Sequence, residues 1–125
     1  MVQKIILIGL AGAVGTLARY GLSGFIQRIS GGTLPWGTLT VNVVGCLIAG
    51  LVWALIENRL TVSGETRAII LIGFLGAFTT FSTFVLETGE LMRDAEWFQA
   101  IGNFALHNVV GILAFFTGFT IIRSM

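Results

Sequence analysis

Charge is scarce in this chain. It carries 7 Lys and Arg and 6 Asp and Glu among 125 residues, 10% in all, where an average globular protein has about 25%. So few charges cannot clothe a water-facing surface, and a soluble domain is excluded. A single cysteine excludes both a disulfide framework and a thiolate zinc cluster. A net charge of +1 leaves no basic field for nucleic acid, so no nucleic-acid partner is expected. The longest polar gap, 57–65, is too short to house a soluble domain. What remains is 55% apolar with 17 glycines and a mean hydropathy of +0.94, the composition of an all-α membrane protein.

Four apolar stretches, 5–26, 36–56, 68–92 and 98–122, predict transmembrane helices over about 4–28, 36–57, 66–93 and 98–123 of one domain covering 1–125. At ~1.5 Å per residue, about 22 residues reach about 33 Å, enough for roughly 30 Å of hydrocarbon. Ser30-Gly31-Gly32 with Pro35, then Asn58 with Ser63-Gly64, then Arg93-Asp94 supply the turns. A secretory signal around Lys4, with Ala11 and Ala13 imitating a cleavage site, is the less favoured reading, because cleavage would discard the most glycine-rich span.

An even number of spans puts both termini in one compartment. Lys4, Arg59, Arg67 and Arg123 fall on that side, and Arg19, Arg28 and Arg93 toward the other. Near balance predicts insertion in both orientations, although a short chain gives a noisy count. Small residues recur four apart: Gly9 with Ala13, Ala11 with Gly15, Gly45 with Ala49, Cys46 with Gly50, Gly73 with Ala77, and Ala114 with Gly118. The pattern serves close helix packing within a subunit or between subunits. With dual orientation, the simplest closed assembly is an antiparallel homodimer whose two-fold axis lies in the membrane plane; no other protein partner is expected.

The third span carries the sharpest signal. Between Gly73 and Phe84 stand two glycines and four hydroxyl residues, a combination that predicts a broken helix. Thr80 lies about 12 residues into the span, hence ~18 Å deep, near the bilayer midplane. Irregular backbone at that depth is tolerated only inside protein or beside an ion or water path. Freed carbonyls suit a hard cation, and the positive end of a following half-helix suits an anion. Asn42 shares a helix face with Thr38, Gly45 and Cys46, and reads equally as interhelical glue or as pore lining. Thr79, Thr83, Glu87 and Glu90 form a stripe at helical spacing, the wall of a solvated vestibule. On the fourth span Asn103, His107 and Asn108 add polar groups, with Phe104 on the Asn108 face; a lone His107 reads first as a packing residue. Arg19 is a snorkelling charge, an electropositive mouth for anions, or one half of an ion pair with Glu87 or Glu90. No nucleophile, metal cluster or cofactor motif joins Glu87 and His107, so no enzyme is expected.

The run Gly73-Phe-Leu-Gly-Ala-Phe-Thr-Thr-Phe-Ser-Thr-Phe84, with Gly12-Ala-Val-Gly15, Arg19-Tyr20 and Pro35-Trp-Gly-Thr-Leu-Thr-Val-Asn42, resembles the small bacterial fluoride channels of the Fluc or CrcB family over all four spans. The resemblance implies a passive fluoride-selective channel of the bacterial inner membrane that confers resistance to fluoride. It implies an antiparallel homodimer with two pores and a central structural sodium ion. By likeness, the carbonyls of Gly76 and Thr79 hold the sodium, and Asn42, Phe81, Phe84, Ser82, Thr80 and Thr83 line the fluoride path. Arg19 and Glu87 belong to the vestibule. Phe104 and Asn108 stand where the family often has a tyrosine and a serine or asparagine, and Phe104 lacks the tyrosine hydroxyl. The alternative is a small dual-topology, proton-coupled multidrug exporter; its first span is expected to hold a carboxylate, and here it holds Arg19.

Overall fold

The computed structural model describes residues 1–58 and 61–125. Arg59, counted above in the charge balance, lies outside the described residues. Among those described, four segments are long and apolar enough to cross a bilayer: Val2–Ser30, Trp36–Asn58, Gly64–Arg93 and Trp97–Ser124. The third segment comprises two helices. We label the elements α1 (Val2–Ser30), α2 (Trp36–Asn58), α3 (64–78), α4 (Phe81–Arg93) and α5 (Trp97–Ser124).

Local chemistry marks the end of α1, the start of α3 and the end of α4. α1 outlasts its apolar stretch until Gly31 and Gly32, whose φ values of 61° and 78° belong to the left-handed region that glycine enters freely. Before α3, the Ser63 side chain accepts from Thr66 N at 3.1 Å and caps the first turn. The turn after α4 forms at residues 94–96. There Ala95 takes φ 61° while its N–H donates to Met92 O at 3.1 Å and Glu96 N–H donates to Leu91 O at 2.8 Å. That pair of bonds satisfies carbonyls which a helix end otherwise leaves bare.

Packing is governed by backbone approach. Leu39, Leu75, Phe78, Phe84 and Leu91 are buried, but the largest side chains withdrawn completely from the surface are only Val41 and Asn103. α2 and α5 meet through glycines: a Cβ at Gly50 would strike Phe115 O, and a Cβ at Gly118 would strike Leu47 O. Small residues are what allow such contact where lipid supplies no hydrophobic drive between helices. α1 meets α3 the same way. A Cβ at Gly15 would collide with Phe74 O, and one at Gly73 would lie 3.0 Å from Ala11 Cβ and Ile8 O. Gly73 falls in a wide π-type turn, Ile69–Leu75, which interrupts the regular winding of α3. Of the spaced small pairs, Gly9 faces nothing of its own chain within 4 Å, so Gly9 with Ala13 has no part in this internal packing.

Substituting Gly118→Val drives two methyl groups against the α2 backbone. We expect a loss of about 1–3 kcal/mol, typical of forced overpacking, read as a lower unfolding midpoint and reduced recovery of monodisperse protein in detergent.

Candidate functional site

The third span breaks at two residues. Thr79 has ψ 159° and Thr80 has φ −149° and ψ 110°, so the chain runs extended between the end of α3 at Phe78 and the start of α4 at Phe81. An extended step rotates successive side chains to opposite sides and cancels helical spacing. The stripe expected through Thr79, Thr83, Glu87 and Glu90 is therefore not one wall: Thr79 stands in the break, and the other three lie on α4.

The break is held by an amide from a neighbouring helix. Asn42 Oδ1 accepts from Thr80 N–H at 2.7 Å, and Asn42 Nδ2 donates to Thr80 O at 3.0 Å. A backbone N–H can only donate, so the side-chain atom facing it is the oxygen, and the amide orientation follows. One side chain thus satisfies both polar groups of a residue removed from the helical ladder. Gly45, one turn further along α2, lets the strand approach: a Cβ there would meet Thr79 Cγ2 and the Phe78 ring.

Diverting these groups changes what the carbonyls can do. In a continuous helix Gly76 O would accept from Thr80 N, Ala77 O from Phe81 N and Thr79 O from Thr83 N. Here Thr80 N goes to Asn42, and Thr83 N goes to the Thr80 hydroxyl at 3.2 Å, which caps α4. Ala77 O accepts instead from Arg19 Nε at 3.0 Å. The carbonyls of Gly76 and Thr79 lose their helical donors, and oxygen donors of this kind fit a hard monovalent or divalent cation. Among the described residues no group of three or more His, Cys, Asp and Glu gathers to hold a metal. The poles of two half-helices also meet here, the carbonyl end of α3 and the N–H end of α4.

Cavities open on different sides of the break. One of about 230 Å³ brings together Asn42, Thr80, Phe81, Phe84 and Asn108, with Thr79, Cys46 and His107 beside them. A second, about 400 Å³, is lined by Arg19, Thr80 and Thr83 together with Thr38 and Ser23. Ser82 is exposed, with its hydroxyl 3.5 Å from Thr80 Oγ1. Arg19 and Glu87 do not share a cavity: Glu87 lines a third, about 260 Å³, with Glu90, Asp94 and Glu96. Thr38 joins the two regions by donating its hydroxyl to Glu87 Oε1 at 2.6 Å. The ion pair considered for Arg19 is not formed; among the described residues the ion pair is Arg93 with Asp94, and Arg19 is bound to a carbonyl.

Aromatic rings extend from the break along α4. Phe81 and Phe84 lie 5.5 Å apart at 57°, and Phe104 stands 6.3 Å from Phe84, outside the cavity that Phe84 lines. Phe84 is buried, while Phe81 is 75% exposed on the single chain. A polar ring anchors Phe84. Asn103 Nδ2 donates to the Thr88 hydroxyl at 2.9 Å, which donates to Phe84 O at 2.7 Å. His107 Nδ1 lies 3.0 Å from Asn103 O, so that nitrogen carries the proton, and the imidazole sits 4.4 Å from the Phe84 ring. The anchoring role of Thr88 and Asn103 was missed from sequence; an amide and a hydroxyl facing each other across two apolar helices were the available signal. The reach of Arg19 to Ala77 O was also missed, since a carbonyl acceptor leaves no trace in residue identity.

Residues 6–119 match the family model described as CrcB-like protein, Camphor Resistance (CrcB). The chain is 51% identical over 123 residues to the fluoride-specific ion channel FluC of Desulforapulum autotrophicum, covering 98% of each. It is 51% identical over 121 residues to the FluC of Nitrosococcus oceani, covering 97% of each, and 45% identical over 123 residues to that of Solidesulfovibrio magneticus, covering 98% of each.

Replacing Asn42 by Ala leaves the N–H and C=O of Thr80 without their partner. The expected cost is about 2–4 kcal/mol for two unsatisfied groups, measured by thermal or denaturant unfolding in detergent; Thr38→Val, which spares the break, should cost less.

Proposed function

The chain belongs to the CrcB-like family, and on that premise we propose that it is a fluoride channel, passing fluoride passively out across the bacterial inner membrane and so conferring fluoride resistance. Its full-length relatives carry the name fluoride-specific ion channel. The observation that carries the reading within this chain is the extended step at Thr79 and Thr80, held by Asn42 and opening onto a cavity edged by Phe81 and Phe84. Backbone of this kind inside a membrane has to line a path or lie within protein.

The working unit in this reading is an antiparallel homodimer with two pores and its breaks crossed near the bilayer midplane. Gly76 and Ser82 beside the break are exposed on the single chain. Freed carbonyls cannot face hydrocarbon without large cost, which favours a second copy over lipid as their cover. Gly9, unengaged within its own subunit, is available for the same kind of contact. A central sodium ion would be held by the carbonyls of Gly76 and Thr79, whose helical donors, Thr80 N and Thr83 N, go to side chains. Bound there, it supplies a fixed positive charge that ties oxygen ligands together.

Fluoride sheds water only if the wall replaces the hydrogen bonds lost. Asn42 Nδ2 carries a second hydrogen beyond the one given to Thr80 O. Ser82 and Thr83 offer hydroxyls and Asn108 an amide, while Thr80 lines the path with a hydroxyl that donates to Thr83 Oγ1 at 2.9 Å. Phe81 and Phe84 present the positive rim of the aromatic quadrupole, a weak contact from which an anion readily departs. Successive weak sites permit conduction where one tight site would trap the ion. The N-terminal pole of α4 adds a favourable field for an anion at the same place. Phe104 contributes a ring without a hydroxyl, so it supports Phe84 through packing and donates nothing. No observation favours the multidrug exporter.

Protein reconstituted alone into fluoride-loaded liposomes should release fluoride rapidly once potassium is allowed to compensate charge, with chloride release remaining near the protein-free rate. Phe81→Ile should slow fluoride release about tenfold or more, the equivalent of ~1.4 kcal/mol of lost contact. A wild-type rate equal for both anions would refute fluoride selectivity.

A further inference from the structure

We propose that Arg19 is a positioning residue that closes the carbonyl end of α3 at the break, and that its charge does not act by gathering anions. For its transport consequences the proposal rests on the channel reading above. Three observations lead to it. Arg19 Nε donates to Ala77 O at 3.0 Å across 58 residues of sequence, taking the place of the Phe81 N–H that a continuous helix would provide. Its position follows from the α1 and α3 interface. Gly15, one turn before Arg19 on the same face, sits so close that a Cβ would meet Phe74 O and lie 3.2 Å from Ala77 Cβ. Finally, Arg19 forms no ion pair with any carboxylate among the described residues, so its countercharge is the negative pole at the end of α3.

The consequence is selective use of the freed carbonyls. Ala77 O is consumed by the Arg19 guanidinium, which only donates. Of the other carbonyls that lose helical donors at the break, Gly76 O, Phe78 O and Thr79 O, the first and last are the ones assigned above to a cation. A guanidinium bound through Nε also has its plane fixed, which a lysine cannot reproduce, because its ammonium is a single point on a flexible stem. Thr80, whose hydroxyl caps α4, stands three residues from Ala77, so loosening the end of α3 displaces the entrance to α4 as well.

The test compares Arg19→Lys, Arg19→Gln and wild type in liposomes, with fluoride flux followed against fluoride concentration at about 0.02 M and about 1 M inert salt. An anion-gathering charge acts over a Debye length that shrinks from tens of ångströms to about 3 Å across this range. It therefore predicts a raised half-saturating fluoride at low salt, convergence with wild type at high salt, and full rescue by lysine. A positioning residue predicts a maximal flux reduced about tenfold or more with little change in half-saturation, the same at both salt concentrations, and incomplete rescue by lysine. Lysine matching wild type, or a defect that vanishes in high salt, overturns the proposal. If neither variant folds, the wild-type protein decides it. Nitrogen-15 spectra should show an Arg19 Nε–H protected from solvent exchange far beyond a free arginine side chain, and fast exchange there overturns the proposal. A wild type that fails to conduct fluoride would remove the channel reading while leaving this spectral outcome to stand or fall separately.

Discussion

A carboxamide that takes the place of a peptide group is the interaction on which the rest of this molecule depends. Asn42 meets the N–H and C=O of Thr80 at 2.7 and 3.0 Å, giving one residue in the middle of a membrane span the two hydrogen bonds it would otherwise find within a helix. In water those groups could be left to solvent. In hydrocarbon an unsatisfied backbone pair costs several kcal/mol, comparable with the net stability of a whole domain. Asn42 of α2 offsets that cost, and Gly45 admits the chain closely enough for it to do so.

From that exchange follows a redistribution of acceptors. Once Thr80 N is given to Asn42 and Thr83 N to the Thr80 hydroxyl, the end of α3 holds oxygen without helical donors and the start of α4 holds N–H groups without helical acceptors. One backbone step thereby sets carbonyl oxygens beside backbone N–H groups, the two opposite poles of the half-helices. Hydroxyl-rich sequence makes this possible because Ser and Thr side chains compete for the same bonds that a helix would form.

The remaining architecture serves close approach. Glycine contacts between α1 and α3, and between α2 and α5, set backbone against backbone, beside a short list of buried apolar side chains that includes Phe78 and Phe84. Polar links then fix what packing alone would leave loose. Thr38 is tied to Glu87, and Thr88, Asn103 and His107 form a ring that holds Phe84 from behind. Such links carry more consequence in a membrane than on a soluble surface, because no water competes for the partners.

Four apolar helices, the turn at Gly31 and Gly32 and an irregular third span were legible in the sequence. Each arises from local chemistry: apolar length against bilayer thickness, glycine where φ turns positive, hydroxyl groups that draw hydrogen bonds from the helix. Asn42, Phe81, Phe84 and Asn108 could be named from their residue types and their likeness to a family, and they line one cavity. Partnership was decided by tertiary structure. Helical spacing joined Thr79 to Thr83, but an extended step severed them; charge suggested Glu87 for Arg19, but the fold delivered the Ala77 carbonyl. Backbone acceptors are identical at every position and so invisible in residue identity, and only the path of the chain determines which of them is left free and which side chain reaches it.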